Sequence, residues 1–188
     1  MVDILHKVGI KSSSQNEVYK ALTTREGLSA WWTTDTQGES KVGGVLLFRF
    51  GAGGFDMKVL ELDPVKRVLW QVVDGPEEWI GTKISFDLRQ EGDWTIVLFK
   101  HQGWKEPVEF MHHCSTKWAV FLLSVKSLLE TGKGLPGPTI SSSTVGNEAA
   151  RRLSIPGPSR MAKLFLTSSG KASKSTWNGV DGSFLYSG

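Results

Sequence analysis

The chain has 188 residues, 39% hydrophobic and 10% aromatic, which suits one packed domain with or without an extension and excludes a wholly disordered chain. Its 22 basic and 19 acidic side chains leave a net charge of +3, but residues 1–138 hold 16 basic and 17 acidic groups and the excess sits in residues 139–188. No basic stripe interleaved with aromatics runs through the body, so no nucleic-acid partner is expected.

In chain order, Val2, Ile4, Val8 and Ile10 share one face of a period-2 pattern interrupted at His6, which predicts a first strand. Ser14 and Glu17 have the spacing of a capping box, ahead of a short helix carrying Val18, Tyr19 and Leu22. Residues 26–32 read as a second short helix. Strand-like runs follow at 45–50, 57–62, 68–73, 79–88 and 94–101, with a shorter candidate at 36–40. Turn-like segments separate them: Gly43-Gly44, the glycines between 51 and 54, Asp63-Pro64, Asp74-Gly75-Pro76 and Glu91-Gly92-Asp93. Such short connections favour an antiparallel meander.

After Pro107 the period changes. Met111, Cys114, Trp118, Phe121, Leu122, Val125, Leu128 and Leu129 recur at three- and four-residue spacing, predicting a helix over 107–131 closed by Gly132. Six or seven strands, two short helices after the first strand and one long C-terminal helix give an α+β chain, a curved sheet gripping an amphipathic helix with a cavity between them. The domain is expected to span 1–138. Residues 139–188 read as a low-complexity, Ser/Thr/Gly-rich basic tail outside the evolved domain, disordered or of non-family origin; the alternative is a basic extension for an acidic partner.

The longest unbroken apolar run, residues 118–123, is too short to span a bilayer, so no membrane insertion is expected. No basic segment followed by an apolar one opens the sequence, and the lone Cys114 makes no intrachain disulfide, so a cytoplasmic location is expected.

Several segments match a known family. Val18-Tyr19-Lys20-Ala21-Leu22 followed by Gly27-Leu28-Ser29-Ala30-Trp31-Trp32 resembles the opening of bacterial SRPBCC (START-like, helix-grip) proteins, in particular the group named for the activator of heat-shock-protein-90 ATPase homologue 1. Val42-Gly43-Gly44, Asp56-Met57-Lys58-Val59-Leu60-Glu61, Val68-Leu69-Trp70, Glu78-Trp79-Ile80-Gly81-Thr82, the segment from His101 to Trp104, and the run from Trp118 to Gly134 extend the likeness over residues 2–136. The resemblance implies a helix-grip fold that binds hydrophobic small molecules between sheet and helix; a minority of the superfamily catalyse cyclisation or dehydration there. The group's name comes from eukaryotic cochaperones that join such a domain to an N-terminal one, and no such second domain is expected from this sequence.

Tryptophans on several elements of one small domain read either as core packing, since each buries a large apolar area, or as an aromatic pocket with indole N–H groups available to orient a guest. The expected lining is Phe48, Phe50, Trp70, Trp79, Phe86, Phe99, His101, Trp104 and Trp118. His101 shares a strand face with Val97 and Phe99 and is the candidate acid–base residue, with a satisfied core histidine as the alternative. His112-His113-Cys114 are consecutive on a helix, point about 100° apart and do not converge on one ion, so no metal is expected. Glu106, Glu109 and His113 at the helix start could form an acid–base group facing the cavity, although acids at a helix N-terminus are favourable in their own right. Gly132-Lys133-Gly134-Leu135-Pro136-Gly137 spells a phosphate-loop pattern but follows a helix, and reads as a turn. No cofactor is expected.

Three functions compete. The leading one is carriage or sensing of a lipid- or aromatic-like molecule without catalysis. The second is a polyketide cyclase/dehydratase-like enzyme using His101. The third is a chaperone ATPase regulator or other protein-interaction module, and the chain itself is expected to be a monomer or homodimer.

Overall fold

The computed structural model describes residues 2–11 and 13–137; the expected boundary at Pro138 and the tail beyond it lie outside the described residues. The chain starts with strand β1 (Val2–Lys11), continues through helices α1 (Gln15–Thr23) and α2 (Arg25–Trp31), and then runs through β2 (Asp35–Gly38), β3 (Val45–Phe50), β4 (Gly53–Asp63), β5 (Arg67–Asp74), β6 (Lys83–Glu91) and β7 (Trp94–Trp104). Helix α3 (Glu109–Thr131) follows. The seven strands form one antiparallel sheet in the order β1-β7-β6-β5-β4-β3-β2. β2 to β7 thus form a meander that starts at one edge, and β7 closes it by pairing with β1, Val8 opposite Val97 and Ile10 opposite Thr95. Register shifts between Asp56 and Met57 and between Val59 and Glu61 interrupt the β4–β5 ladder, and such bulges bend a sheet. This is the helix-grip arrangement.

Alternation decides which face is inside. Leu46, Phe48 and Phe50 on β3, Val68, Trp70 and Val72 on β5, and Ile84, Phe86 and Leu88 on β6 are all buried. Cys114, Trp118, Phe121, Leu122 and Val125 of α3 face them. Each of the larger side chains contributes about 2 kcal/mol by leaving water. The break at His6 has a plain cause: its Nε2 sits 3.1 Å from the Ser115 carbonyl oxygen, so the ring joins β1 to α3.

Local chemistry fixes the helices. The Ser14 hydroxyl accepts from the Glu17 N–H while the Glu17 carboxylate accepts from the Ser14 N–H at 2.8 Å, completing the capping box. The Thr24 hydroxyl caps α2 by accepting from Gly27 N–H at 3.0 Å. A Cβ at Gly27 would lie 2.6 Å from the Ala21 Cα, so only glycine allows α1 and α2 this close. Gly132 closes α3 in the left-handed conformation (φ 77°), with its N–H on the Leu128 carbonyl. That helix starts at Glu109, two residues later than the sequence pattern indicates.

One expected strand begins later than its composition suggests. Residues 79–82 are rich in strand formers, yet β6 starts at Lys83. Gly75 (φ 140°) and Gly81 (φ 86°) turn the connection back on itself, and Gly81 N–H donates to Val72 O while Val72 N–H donates to Thr82 O. Trp79 therefore sits on a looped connection over the concave face. Among the described residues no helix is long and apolar enough to cross a membrane.

Candidate functional site

The concave face and α3 enclose an aromatic interior, and four separate segments bring it together. Trp32 arrives at the end of α2, anchored because its carbonyl accepts from Gly137 N–H at 2.7 Å. The neighbouring Trp31 carbonyl accepts from the Ser124 hydroxyl of α3 at 2.8 Å, which ties α2 to α3. Phe50 and Phe55 flank the β3–β4 turn. Trp79 comes from the β5–β6 connection, its indole N–H directed at the Cys114 sulfur 3.3 Å away. These four residues, with Cys114, Lys117, Trp118 and Phe121 of α3, line a cleft.

The rings of this cleft are in mutual contact. Trp32 lies 5.0 Å from Trp118, and Trp79 stacks on Trp118 at 6.0 Å. The remaining free space is about 20 Å³, enough for about one water molecule. The expected open cavity is closed in this conformation.

Of the residues expected to line a pocket, Phe50, Trp79 and Trp118 do line the cleft. Phe48 and Trp70 stand one layer deeper against Trp32, at 4.1 and 6.0 Å. Phe86 and Phe99 pack edge-on to each other at 5.3 Å behind them. Trp104 sits against His101 at 4.9 Å and faces Phe110 at the start of α3. Sequence reasoning missed Trp32, Phe55, Cys114, Lys117 and Phe121 as lining. Cys114 and Phe121 belong to the apolar stripe of α3, and Lys117 lies one turn after His113; their helical spacing was the available signal.

His101 is fully buried, and its hydrogen bonds form a directed chain. An indole N–H only donates, so Trp118 Nε1, 3.1 Å away, makes His101 Nδ1 the acceptor and leaves the proton on Nε2. That Nε2–H donates to Thr82 Oγ1 at 2.8 Å, and the Thr82 hydroxyl donates to the Trp79 carbonyl at 2.5 Å. Burial drives the imidazole pKa down to about 3, against a smaller opposing effect of the Asp3 carboxylate. The ring is neutral at physiological pH, both nitrogens are engaged, and it does not line the cleft. It links α3, β7 and the Trp79 connection.

The other candidate groups are similarly placed by burial. Burial pushes the Cys114 thiol up to about 12, only partly offset by the Trp79 hydrogen bond, so it remains a neutral acceptor. Glu106, Glu109 and His112 are exposed. His113 is half-buried, its pKa lowered by burial first and by the Lys117 charge second. Lys117 is only 6% exposed, and burial lowers its pKa as well. Among the described residues no group of three or more His, Cys, Asp or Glu side chains is placed to hold a metal ion. The glycines from 132 to 137 follow α3 and return the chain to Trp32 rather than cradling a phosphate.

This fold and interior have known counterparts. Residues 12–130 match the family described as Activator of Hsp90 ATPase homolog 1-like protein. The solution structure of the Aha1 dimer from Colwellia psychrerythraea is 52% identical, with a TM-score of 0.67, and the match covers 71% of this chain and all of that one. SSP2350 from Staphylococcus saprophyticus (15% identity, TM-score 0.60, 71% of this chain and 95% of that chain) and CalU16 from Micromonospora echinospora (17%, 0.57, 67% and 73%) share the fold. A search of curated proteins gives no match. With more than half its length matched by the family model and 52% identity to the Colwellia protein over the 71% of the chain that aligns, the chain belongs to the Activator of Hsp90 ATPase homolog 1-like family.

Proposed function

We propose that this protein binds a small apolar molecule between sheet and α3, as a carrier or sensor, without chemical turnover. The observation that carries this reading is the lining itself: six aromatic rings, a thiol and one lysine converge from four separate segments on a single cleft. The closed cleft holds about one water, so a guest enters by parting rings. Phe50 and Phe55 beside a turn, and Trp79 on a connection, are the groups best placed to move. A guest burying about 200 Å² of apolar surface contributes about 5 kcal/mol towards that rearrangement. Catalysis is disfavoured because His101 spends both nitrogens on protein partners and does not face the cleft.

The test has two arms. Native mass spectrometry of the freshly purified protein is expected to show a copurified apolar compound. Titration with 4-phenylbutan-1-ol is expected to change tryptophan emission saturably, and Phe121→Trp, which fills the cleft, is expected to abolish that change. Absence of both a copurified compound and a saturable response overturns the reading.

Self-association is a second reading, favoured by a specific observation. The 52% identical relative is described as a dimer, and β1 here is an edge strand of the sheet carrying Leu5 at 64% exposure. Edge strands offer unpaired backbone to another chain. Light scattering across a dilution series is expected to show twice the 20.7 kDa chain mass, returning to one chain mass in Leu5→Lys. A single-chain mass throughout removes this reading. Binding to a separate protein has less support, since exposed Val42, Ile80, Leu123 and Leu135 lie on separate elements.

A further inference from the structure

The edge that β1 offers is not uniform along its length. Towards the C-terminal end of the strand, α3 already occupies it. The Gly9 carbonyl accepts from the Lys126 ammonium at 2.7 Å, and the Lys11 N–H donates to the Glu130 carboxylate at 2.7 Å. Lys126 also pairs with Glu130 and lies over the Trp94 ring, 5.0 Å from its centre. Bonded side chains therefore cap residues 9 and 11.

In an antiparallel ladder the N–H and C=O of one residue point to the same side, and the side alternates from residue to residue. Gly9 and Lys11 direct these groups away from β7, so Leu5 and Lys7 do the same. Among the described residues no strand and no backbone bond meets them on that side. Asp3 continues the series. The irregularity beside it lies in β7, where Gln102 and Gly103 together face Asp3 alone, so β1 itself stays regular. The Asp3 carboxylate accepts from Gly103 N–H at 3.1 Å and from the Gln102 amide at 3.4 Å, and further lone pairs remain for another donor.

The uncapped part of the edge thus carries three exposed side chains on one face of the strand: an acid, an apolar group and a base, Asp3, Leu5 and Lys7. A second copy turned end for end presents base, apolar group and acid. Resting on the self-association reading above, we infer that β1 pairs antiparallel with β1 of a second copy in a register centred on Leu5. Leu5 then meets its own counterpart, and Asp3 of each chain lies opposite Lys7 of the other. Opposite charges directly across a ladder attract, whereas like charges there destabilise. The neighbouring registers are worse. One sets Leu5 opposite Lys7 and needs the Gly9 carbonyl that Lys126 holds; the next sets Lys7 opposite Lys7. Leu123, 58% exposed, shares a helix face with Lys126 and Glu130 and adds apolar surface beside the same edge.

The two charges allow a test by exchange, with the full-length protein followed by light scattering over a dilution series. Asp3→Lys and Lys7→Asp each place like charges at both ends of the seam. Alone, each variant is expected to raise the dimer dissociation constant at least about tenfold. Mixed in equal amounts, the two restore opposite charges at both ends, and the mixture is expected to dimerise within about threefold of the wild type. Asp3→Lys also loses the Gly103 bond, which makes recovery on mixing the decisive reading, because mixing does not repair a folding defect. A wild-type dimer that both single variants retain unchanged overturns this register and leaves self-association standing. So does a mixture that stays as weak as its components. A wild type of single-chain mass at every concentration overturns both.

Discussion

Replacing Trp118 with alanine is expected to cost about 3–5 kcal/mol, the range for removing a large buried aromatic. In a domain of this size that corresponds to a fall of at least about 10 °C in melting temperature. The indole contacts Phe99 at 4.5 Å, Trp32 at 5.0 Å and Trp79 at 6.0 Å, so its loss empties the centre of the sheet–helix interface. It also leaves His101 Nδ1 buried without its donor. Trp118→Phe separates the two contributions: it restores much of the packing but not the N–H, and is expected to cost about 1–3 kcal/mol. Calorimetric melting of the three proteins checks this. A fall of less than about 3 °C for the alanine variant would mean that α3 is not held through this residue.

Acid is expected to destabilise the protein through His101. Its folded pKa is about 3 against 6.5 for a free imidazole, so the unfolded chain takes up a proton that the folded one refuses. The stability this provides is fully present above pH 6.5 and is lost as pH falls towards 3, on the order of 5 kcal/mol over the whole window. Between pH 6.5 and 5, where ordinary carboxylates remain ionised, the loss is about 2 kcal/mol. His113 shifts in the same direction, so a variant is needed to isolate the His101 share. In His101→Gln the amide can accept from Trp118 and donate to Thr82 without titrating. Urea unfolding at both pH values should show a shallower dependence in the variant; equal slopes would place the acid sensitivity elsewhere.

The two histidine roles show what a linear reading can and cannot resolve. Period-2 alternation put His101 on the inner face beside Val97 and Phe99, and there it is. Its partners are Thr82, nineteen residues before it on another segment, and Trp118, seventeen residues after it on α3. Nothing in spacing announces such a pair, and they turn a candidate acid–base residue into a neutral link between α3 and the sheet. Trp79 illustrates the other failure: its neighbours have strand composition, but two glycines with positive φ fold them into a turn over the cleft.

What the amino-acid order determined by itself is the list of elements, their order and their inward faces, because alternation, a 3.6-residue stripe, a capping box and a terminal glycine are local signals tied to backbone geometry. It also placed Phe50, Trp79 and Trp118 at the interior space. Only the tertiary structure decided that Trp32, Phe55, Cys114, Lys117 and Phe121 join them. It likewise decided that the space between sheet and helix closes to about one water in this conformation. Both outcomes depend on how far α3 sits from the sheet and how the rings between them interlock, quantities set by contacts among residues distant in the chain.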